Sequence, residues 1–253
     1  MKQNSDDFIR KHFSDLDGRA YSKDFPIYTD FLDLNEQSIL HRAEGGFRCH
    51  IAYDGGYDGS ERQMAVFLPS DAFSDTDFPI RVLKIEPINQ KYAEKLTHRD
   101  YLGALMNLMI KRELMGDLIV KKDNNYCILF CVERIAGFIA ENLVKVRHTE
   151  VSVEAVRFDD EKFSPDFREE DIIITSDRLD SLVAACAHSS RSAASTLIDG
   201  EKIFLNGKIE TSHKAQVKEG DILTIRGKGK LRIFAFNGKT QKDRLKVKIG
   251  WYD

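Results

Sequence analysis

The chain is poor in the features that mark several protein classes. No run of its residues approaches the ~18–20 consecutive apolar positions of a membrane helix, so no membrane partner is expected. MKQNSDDFIRKHF lacks the apolar core of a secretory signal, and none is expected. The four cysteines, Cys49, Cys127, Cys131 and Cys186, include no C-x-x-C pair, which disfavours a zinc ribbon or redox motif. Cys127 and Cys131 lie in YCILFCV, where an offset of four on a strand puts both on one face. Buried, reduced thiols in a cytoplasmic protein follow. No Gly-x4-Gly-Lys-Ser/Thr loop and no Gly-x-Gly-x-x-Gly turn opening a helix is present. The glycines of DGGYDG suit a hairpin connection, and no cofactor is expected. His98-Arg99-Asp100 resembles the kinase catalytic triplet, but Leu105 stands where the metal-binding asparagine belongs. A helix start, with Thr97 as N-cap answered by Asp100, explains the triplet better. No catalytic residue is assigned.

Charge is present, and it is unevenly spread. Residues 171–253 hold 15 Lys+Arg against 10 Asp+Glu, while the remainder holds 23 against 31. A basic tail of +5 therefore follows an acidic body of −8, giving the overall −3. Such a tail calls for an anionic partner, and the acidic front part offers a surface for a protein partner.

The pattern predicts an α+β protein in three parts. Residues 1–75 read as an N-terminal α/β segment. Ser5 caps a helix containing Phe8, Ile9 and Phe13, a second helix is stopped by Gly45 and Gly46, and two strands flank DGGYDG. Residues 76–160 give β-α-β-β-α-β, the ferredoxin-like or RRM-like order, with one antiparallel sheet and both helices on one face. The helical stripes are Leu102, Leu105, Met106 and Met109, then Ile135, Phe138, Ile139 and Leu143. RRM-like sheets stack bases on their free face, but YCILFCV lacks the basic-Gly-aromatic signature. Phe130 and Tyr126 are read as scaffold. FDDEKFSPDFREED reads as a linker.

Residues 171–253 change pattern. DIIIT is a strand. A helix capped by Ser176 or Asp177 follows, with Leu179, Leu182, Val183 and Cys186 as its stripe. A second helix opens at Arg191 and stops at Gly200. KIFLNGKIE is a hairpin turning on Asn206-Gly207, two strands flank Gly227-Lys228-Gly229, and LKVKIG closes a basic tail.

The succession Arg178-Leu179-Asp180, Ser190-Arg191, Gly200, Asn206-Gly207-Lys208 and Gly220-Asp221 resembles the S-four domain, an RNA-binding fold of two helices on a small twisted sheet (the α-L motif), over residues 176–236. A helix N-terminus attracts anions. The RNA-binding candidates are Arg178, Ser190, Arg191, Ser192, Lys208, Lys228, Lys230 and Arg232, with phosphate as their target and RNA shape as the specificity. Asp180 is read as a cap or as a partner to Arg178, and Lys202 and Lys218 as ordinary surface lysines.

THRDYLGALMNLMIKRELMGDLIV, placed ahead of such a domain, resembles the bacterial YlmH family. Met109 departs from it, standing where the family's LG-x-KRE-x-GD stretch has glycine. The resemblance implies a cytoplasmic, non-catalytic protein that binds structured rRNA and tRNA on the ribosomal large subunit, in nascent-chain quality control, with a link to cell division. Two alternatives stand beside it. One is an RNA-modifying enzyme, pseudouridine synthase-like or a methyltransferase; the other is a scaffold for a division or translation factor.

Overall fold

Capped amphipathic runs and β-branched stretches alternate along the chain, and most become the element their chemistry favours. The computed structural model describes residues 2–70, 73, 77–157, 159 and 163–252, with side chains from Asp6 onward. It divides into two units, Met1–Pro165 and Asp166–Asp253. The 75/76 boundary and residues 158 and 160–162 of the expected linker lie outside the described residues.

The first unit begins with α1 (Lys2–Lys23), β1 (Ile27–Tyr28), α2 (Leu34–Ala43), β2 (His50–Asp54) and β3 (Met64–Leu68). Ser5 falls inside α1 and is not its cap. The α2 cap is a reciprocal box: Asp33 accepts from the Glu36 N–H at 2.9 Å, and Glu36 accepts from the Asp33 N–H at 2.8 Å. The helix gives way to a 3₁₀ turn at Glu44–Gly46, where the glycines stop it. The strands form an antiparallel sheet in the order β1-β3-β2. Phe13, Leu16, Leu40 and Phe67 fill the core beneath it.

There follow β4 (Ile80–Pro87), α3 (His98–Asn107), β5 (Met115–Lys121), β6 (Tyr126–Val132), α4 (Glu133–Asn142), β7 (Lys145–Val146) and β8 (Thr149–Val156). The sheet order is β5-β6-β4-β8-β7, with antiparallel neighbours throughout. This is the ferredoxin-like arrangement. Thr97 donates to the Asp100 carboxylate from its N–H at 2.8 Å and its hydroxyl at 2.7 Å, so His98-Arg99-Asp100 is a capped helix start.

Two helical stripes differ from expectation. Met106 and Met109 are 44% and 88% exposed, and the α3 face toward the core is Tyr101 and Leu105. The helix ends at Asn107 and Met109 adopts φ +62°, so the helical period does not reach it. On α4, Ile139 and Leu143 are buried but Phe138 is 47% exposed.

The two faces of this sheet are covered differently. Leu83, Ile85, Cys127, Leu129 and Cys131 pack with Tyr101, Leu105 and Ile139 of the helices. Ile119, Ile128, Phe130 and Val132 point the other way and meet Phe31 and Met64 of the N-terminal segment. Tyr57 stacks on Phe130 with centroids 4.9 Å apart. A Cβ on Gly116 would lie 2.7 Å from the Phe31 ring, so glycine is what lets that ring lie on the strand. Phe130 is fully buried. Freeing it for a base would also uncover Phe31, Met64 and Tyr57, at about 1.5–3 kcal/mol each. One stacked base returns about 1–3 kcal/mol, so the covered state wins and Phe130 is scaffold.

Polar bonds fix that cover. Asp117 accepts from the Tyr57 hydroxyl at 2.8 Å and from the Glu61 and Arg62 N–H groups at 2.7 and 3.1 Å. Burial, and then the neighbouring Glu61, push its pKa up against these donors. Arg62 donates to the carbonyls of Met115 and Phe31, and Arg112 to those of Met115 and Gly116. Burial, and then Arg62, lower the Arg112 pKa to about 10, which leaves it charged at neutral pH.

The second unit comprises β9 (Phe167–Ile174), α5 (Leu179–Cys186), α6 (Arg191–Asp199), β10 (Ile203–Leu205), β11 (Lys208–Ile209), β12 (Ile222–Ile225), β13 (Gly229–Lys239) and β14 (Leu245–Tyr252). Its sheet runs β11-β10-β12-β13-β14-β9. Part of the expected linker is thus the edge strand β9, which pairs with β14 from Phe167↔Tyr252 to Ile174↔Leu245. Acidic residues on an edge strand look like a loop in sequence, but only Ile172 and Ile174 of this strand need to face the core. Leu179, Leu182, Val183 and Cys186 are buried against the sheet, as the stripe predicts. All four cysteines of the chain are buried. Burial raises the Cys131 and Cys186 thiols to about 12, so both stay protonated.

Two outcomes follow. A left-handed residue with a side chain costs ~1–2 kcal/mol, partly offset by the greater freedom of glycine in the unfolded chain. Met109→Gly should therefore gain about 0.5–1 kcal/mol in urea unfolding, and an unchanged or lower midpoint would contradict this. Asp117→Ala strands three part-buried donors, the Tyr57 hydroxyl and two backbone N–H groups, and should cost about 3 kcal/mol or more. A loss below about 1 kcal/mol would mean that the clasp is incidental.

Candidate RNA interface

The candidate residues sit on α5, α6 and the strands that carry them. The loop leaving β9 is fixed by Ser181, whose Oγ accepts from the Thr175 N–H at 3.0 Å and lies 3.0 Å from the Thr175 hydroxyl. Arg178 is the N-cap of α5, displacing the expected Ser176 and Asp177. Its guanidinium grips Asp180 at 3.1 and 2.8 Å. This bears out the pairing read for Asp180, and the Arg178 side chain stays 38% exposed.

The start of α5 is not an open anion site. The Leu179 N–H bonds the Ala215 carbonyl at 2.8 Å and the Asp180 N–H bonds the His213 carbonyl at 3.2 Å. The start of α6 differs. Ser190 caps it by accepting from the Ala193 N–H at 3.1 Å. Ser190, Arg191, Ser192 and Ala193 are all exposed. The Arg191 guanidinium reaches back to hydrogen-bond the Thr175 hydroxyl. Thr175 and Arg178 are three residues apart, so at most ~11 Å of chain separates them. Arg191, bonded to Thr175, therefore lies beside the loop that carries Arg178, and both side chains reach solvent.

Lys228 lies at the other end of α5, where its ammonium bonds the Ala187 carbonyl at 2.8 Å. It satisfies a helix C-terminus at the turn that leads into Ser190 and Arg191. Lys230 and Arg232 lie elsewhere. Leu231 and Ile233 point into the core, so by strand alternation Lys230 and Arg232 occupy the opposite face, with Lys230 over the Tyr252 ring at 5.0 Å. Lys208 is on the far edge strand, after a turn in which Asn206 and Gly207 take φ +49° and +75°. That hairpin is pinned by Asp221, which accepts from the Asn206 amide at 2.9 Å.

The structure thus gathers Arg178, Ser190, Arg191, Ser192 and Lys228 around α5 and α6, and separates Lys208, Lys230 and Arg232 from them. Thr175 and Ser181 were missed; short polar residues carry no signal until the helix start they brace is known. Nothing in this arrangement pairs a nucleophile with a base. The gathered groups can bind anions.

Comparisons with known proteins agree on kinship. Residues 74–160 match the family described as "Putative RNA-binding domain in YlmH", and residues 177–223 match the S4 domain. The "Ribosome-associated protein quality control protein P2" of Bacillus subtilis is 33% identical over 224 residues, covering 87% of this chain and 84% of that protein. The structure of the "Cell division protein ylmH from Streptococcus pneumoniae" superposes with a TM-score of 0.50 at 23% identity, over 63% of this chain and 95% of that one, a likeness of fold. With its ferredoxin-like domain, its S4 domain and a relative of this identity and coverage, the chain belongs to the YlmH family.

Proposed function

We propose that this chain is a non-catalytic protein that binds structured rRNA and tRNA on the ribosomal large subunit. It would act in ribosome-associated quality control, with a link to cell division. One observation carries the reading: Arg191 stands at the exposed, capped start of α6 and is tethered through Thr175 to the loop that ends in Arg178, both arginines lying inside the S4 match. A guanidinium held at a helix N-terminus meets phosphate with two favourable terms, its own charge and the helix dipole. An RNA-binding role is in keeping with both matched domains. The quality-control setting is suggested by the name of the Bacillus subtilis relative, and the division link by the name of the Streptococcus pneumoniae protein. Neither domain description names a catalytic activity. Among the described residues, no helix is long and apolar enough to cross a membrane.

Two measurements test this. Arg191→Glu should weaken binding to tRNA and to large subunits at least tenfold, with the melting temperature preserved, because the side chain is exposed. Unchanged co-sedimentation would count against the reading. A fragment of residues 166–253 retains the core of its unit and β9. It should fold and bind tRNA at low salt, less tightly than the full chain, with affinity falling steeply as salt rises. A folded fragment without RNA affinity would contradict it.

A further inference from the structure

We infer that the tip of the β13–β14 hairpin carries a second RNA contact, a groove that takes one nucleotide of a single strand together with its phosphates. This rests on the RNA-binding reading above and places a contact outside the S4 match, which ends at residue 223.

The groove is shallow and open, offers about 420 Å³, and is lined by Ile173, Thr240, Gln241, Lys242, Arg244 and Lys246. That is within the size of small-ligand sites, roughly 300–1,000 Å³. The segment Lys239–Lys248 holds five cations and a single carboxylate, Asp243. Asp243 is taken by Lys239 at 2.7 Å, and the nearby Glu169 by Lys248 at 2.7 Å. These carboxylates, together with Asp171 directly opposite Lys248 on β9, therefore face the cations outside the groove. Lys242, Arg244 and Lys246, which line it, have no carboxylate partner among the described residues. Three like charges around one concavity repel each other, and an anion seated between them relieves that repulsion.

The tip is ordered by its own bonds. The Thr240 N–H bonds the Arg244 carbonyl at 2.7 Å, the Asp243 N–H bonds the Thr240 carbonyl at 2.9 Å, and the Arg244 N–H bonds the Thr240 hydroxyl at 3.2 Å. The cations thus project from a fixed turn. The floor makes the occupant more than a bare phosphate. Ile173 lies directly opposite Lys246 across the β9–β14 pair and is 55% exposed. An exposed β-branched side chain ringed by cations offers an apolar seat for a base, and the Gln241 amide can both donate to and accept from its edge. Phosphate beside a flat apolar group is the chemistry of a nucleotide. A peptide of acidic residues alone matches the charges but not the floor.

The test uses the full chain and the variant Lys242→Glu/Arg244→Glu, with fluorescence anisotropy on a labelled oligouridylate ten-mer and on tRNA at several salt concentrations. The inference expects at least tenfold weaker oligouridylate binding and a salt slope shallower by about 1.4, for two phosphate contacts on a single strand. The Arg191 dependence of tRNA binding should persist. Lys242→Ala/Arg244→Ala serves if the reversal misfolds, with the same direction expected. Unchanged oligouridylate affinity in a folded variant that still binds tRNA through Arg191 overturns this inference alone. Wild-type protein that binds neither RNA overturns it together with the proposed function. Uridine monophosphate binding as tightly as the ten-mer, or polyglutamate displacing it at equal charge concentration, overturns the strand assignment.

Discussion

The Asp117 carboxylate, held by Tyr57 and two backbone N–H groups, is the constraint on which the first unit turns. A ferredoxin-like sheet has helices on one face and must do something with the other. Here Phe31, Met64 and Tyr57 lie over Phe130, and Asp117 on β5 anchors the loop that brings Tyr57 there. Gly116 leaves room for Phe31, and Arg62 and Arg112 tie off the neighbouring carbonyls. The stretch KRELMGD is therefore a structural clasp. Its Asp117 holds the aromatic cover in place, and the base-stacking surface common in this fold is spent on packing.

In the proposed function, RNA recognition by the second unit consequently rests on surface cations. These fall into distinct kinds. Arg178 is committed to Asp180 and Lys228 to the end of α5, so each shapes the site while giving up some of its freedom to meet phosphate. Among the described residues, Arg191 is held by a neutral hydroxyl, which orients it without neutralising it. Lys242 and Arg244 are placed by a tight turn, and Lys246 by the β14 strand that follows it. A cation oriented by neutral groups keeps its full charge for an incoming phosphate. That distinction, more than the count of lysines, ranks the candidates.

Much of this was legible in sequence because local chemistry determined it. The Thr97–Asp100 helix start, the Asn206-Gly207 turn and the Leu179, Leu182, Val183, Cys186 stripe each rest on residues within one or two turns of each other. What failed depended on distant partners. The acidic stretch before Ile172 became a strand because β14 offered it a paired edge. Met109 left the α3 stripe because the helix ended before it, and Met106, still inside the helix, lies half exposed while Tyr101 and Leu105 face the core. The left-handed φ at Met109 gives a physical reason why glycine would suit that position. For the site, the residue types were readable, but their grouping was not. Strand alternation turned Lys230 and Arg232 away from α5 and α6, which depends on where β13 begins.

Crosslinking the full chain to RNA in cells, followed by mapping of the attached peptides, tests the central claim most directly. The account predicts attachment in the segment from Ser189 to Ser192 and none in the strand from Tyr126 to Val132. Attachment confined to that strand, or to the aromatic lid above it, would contradict it.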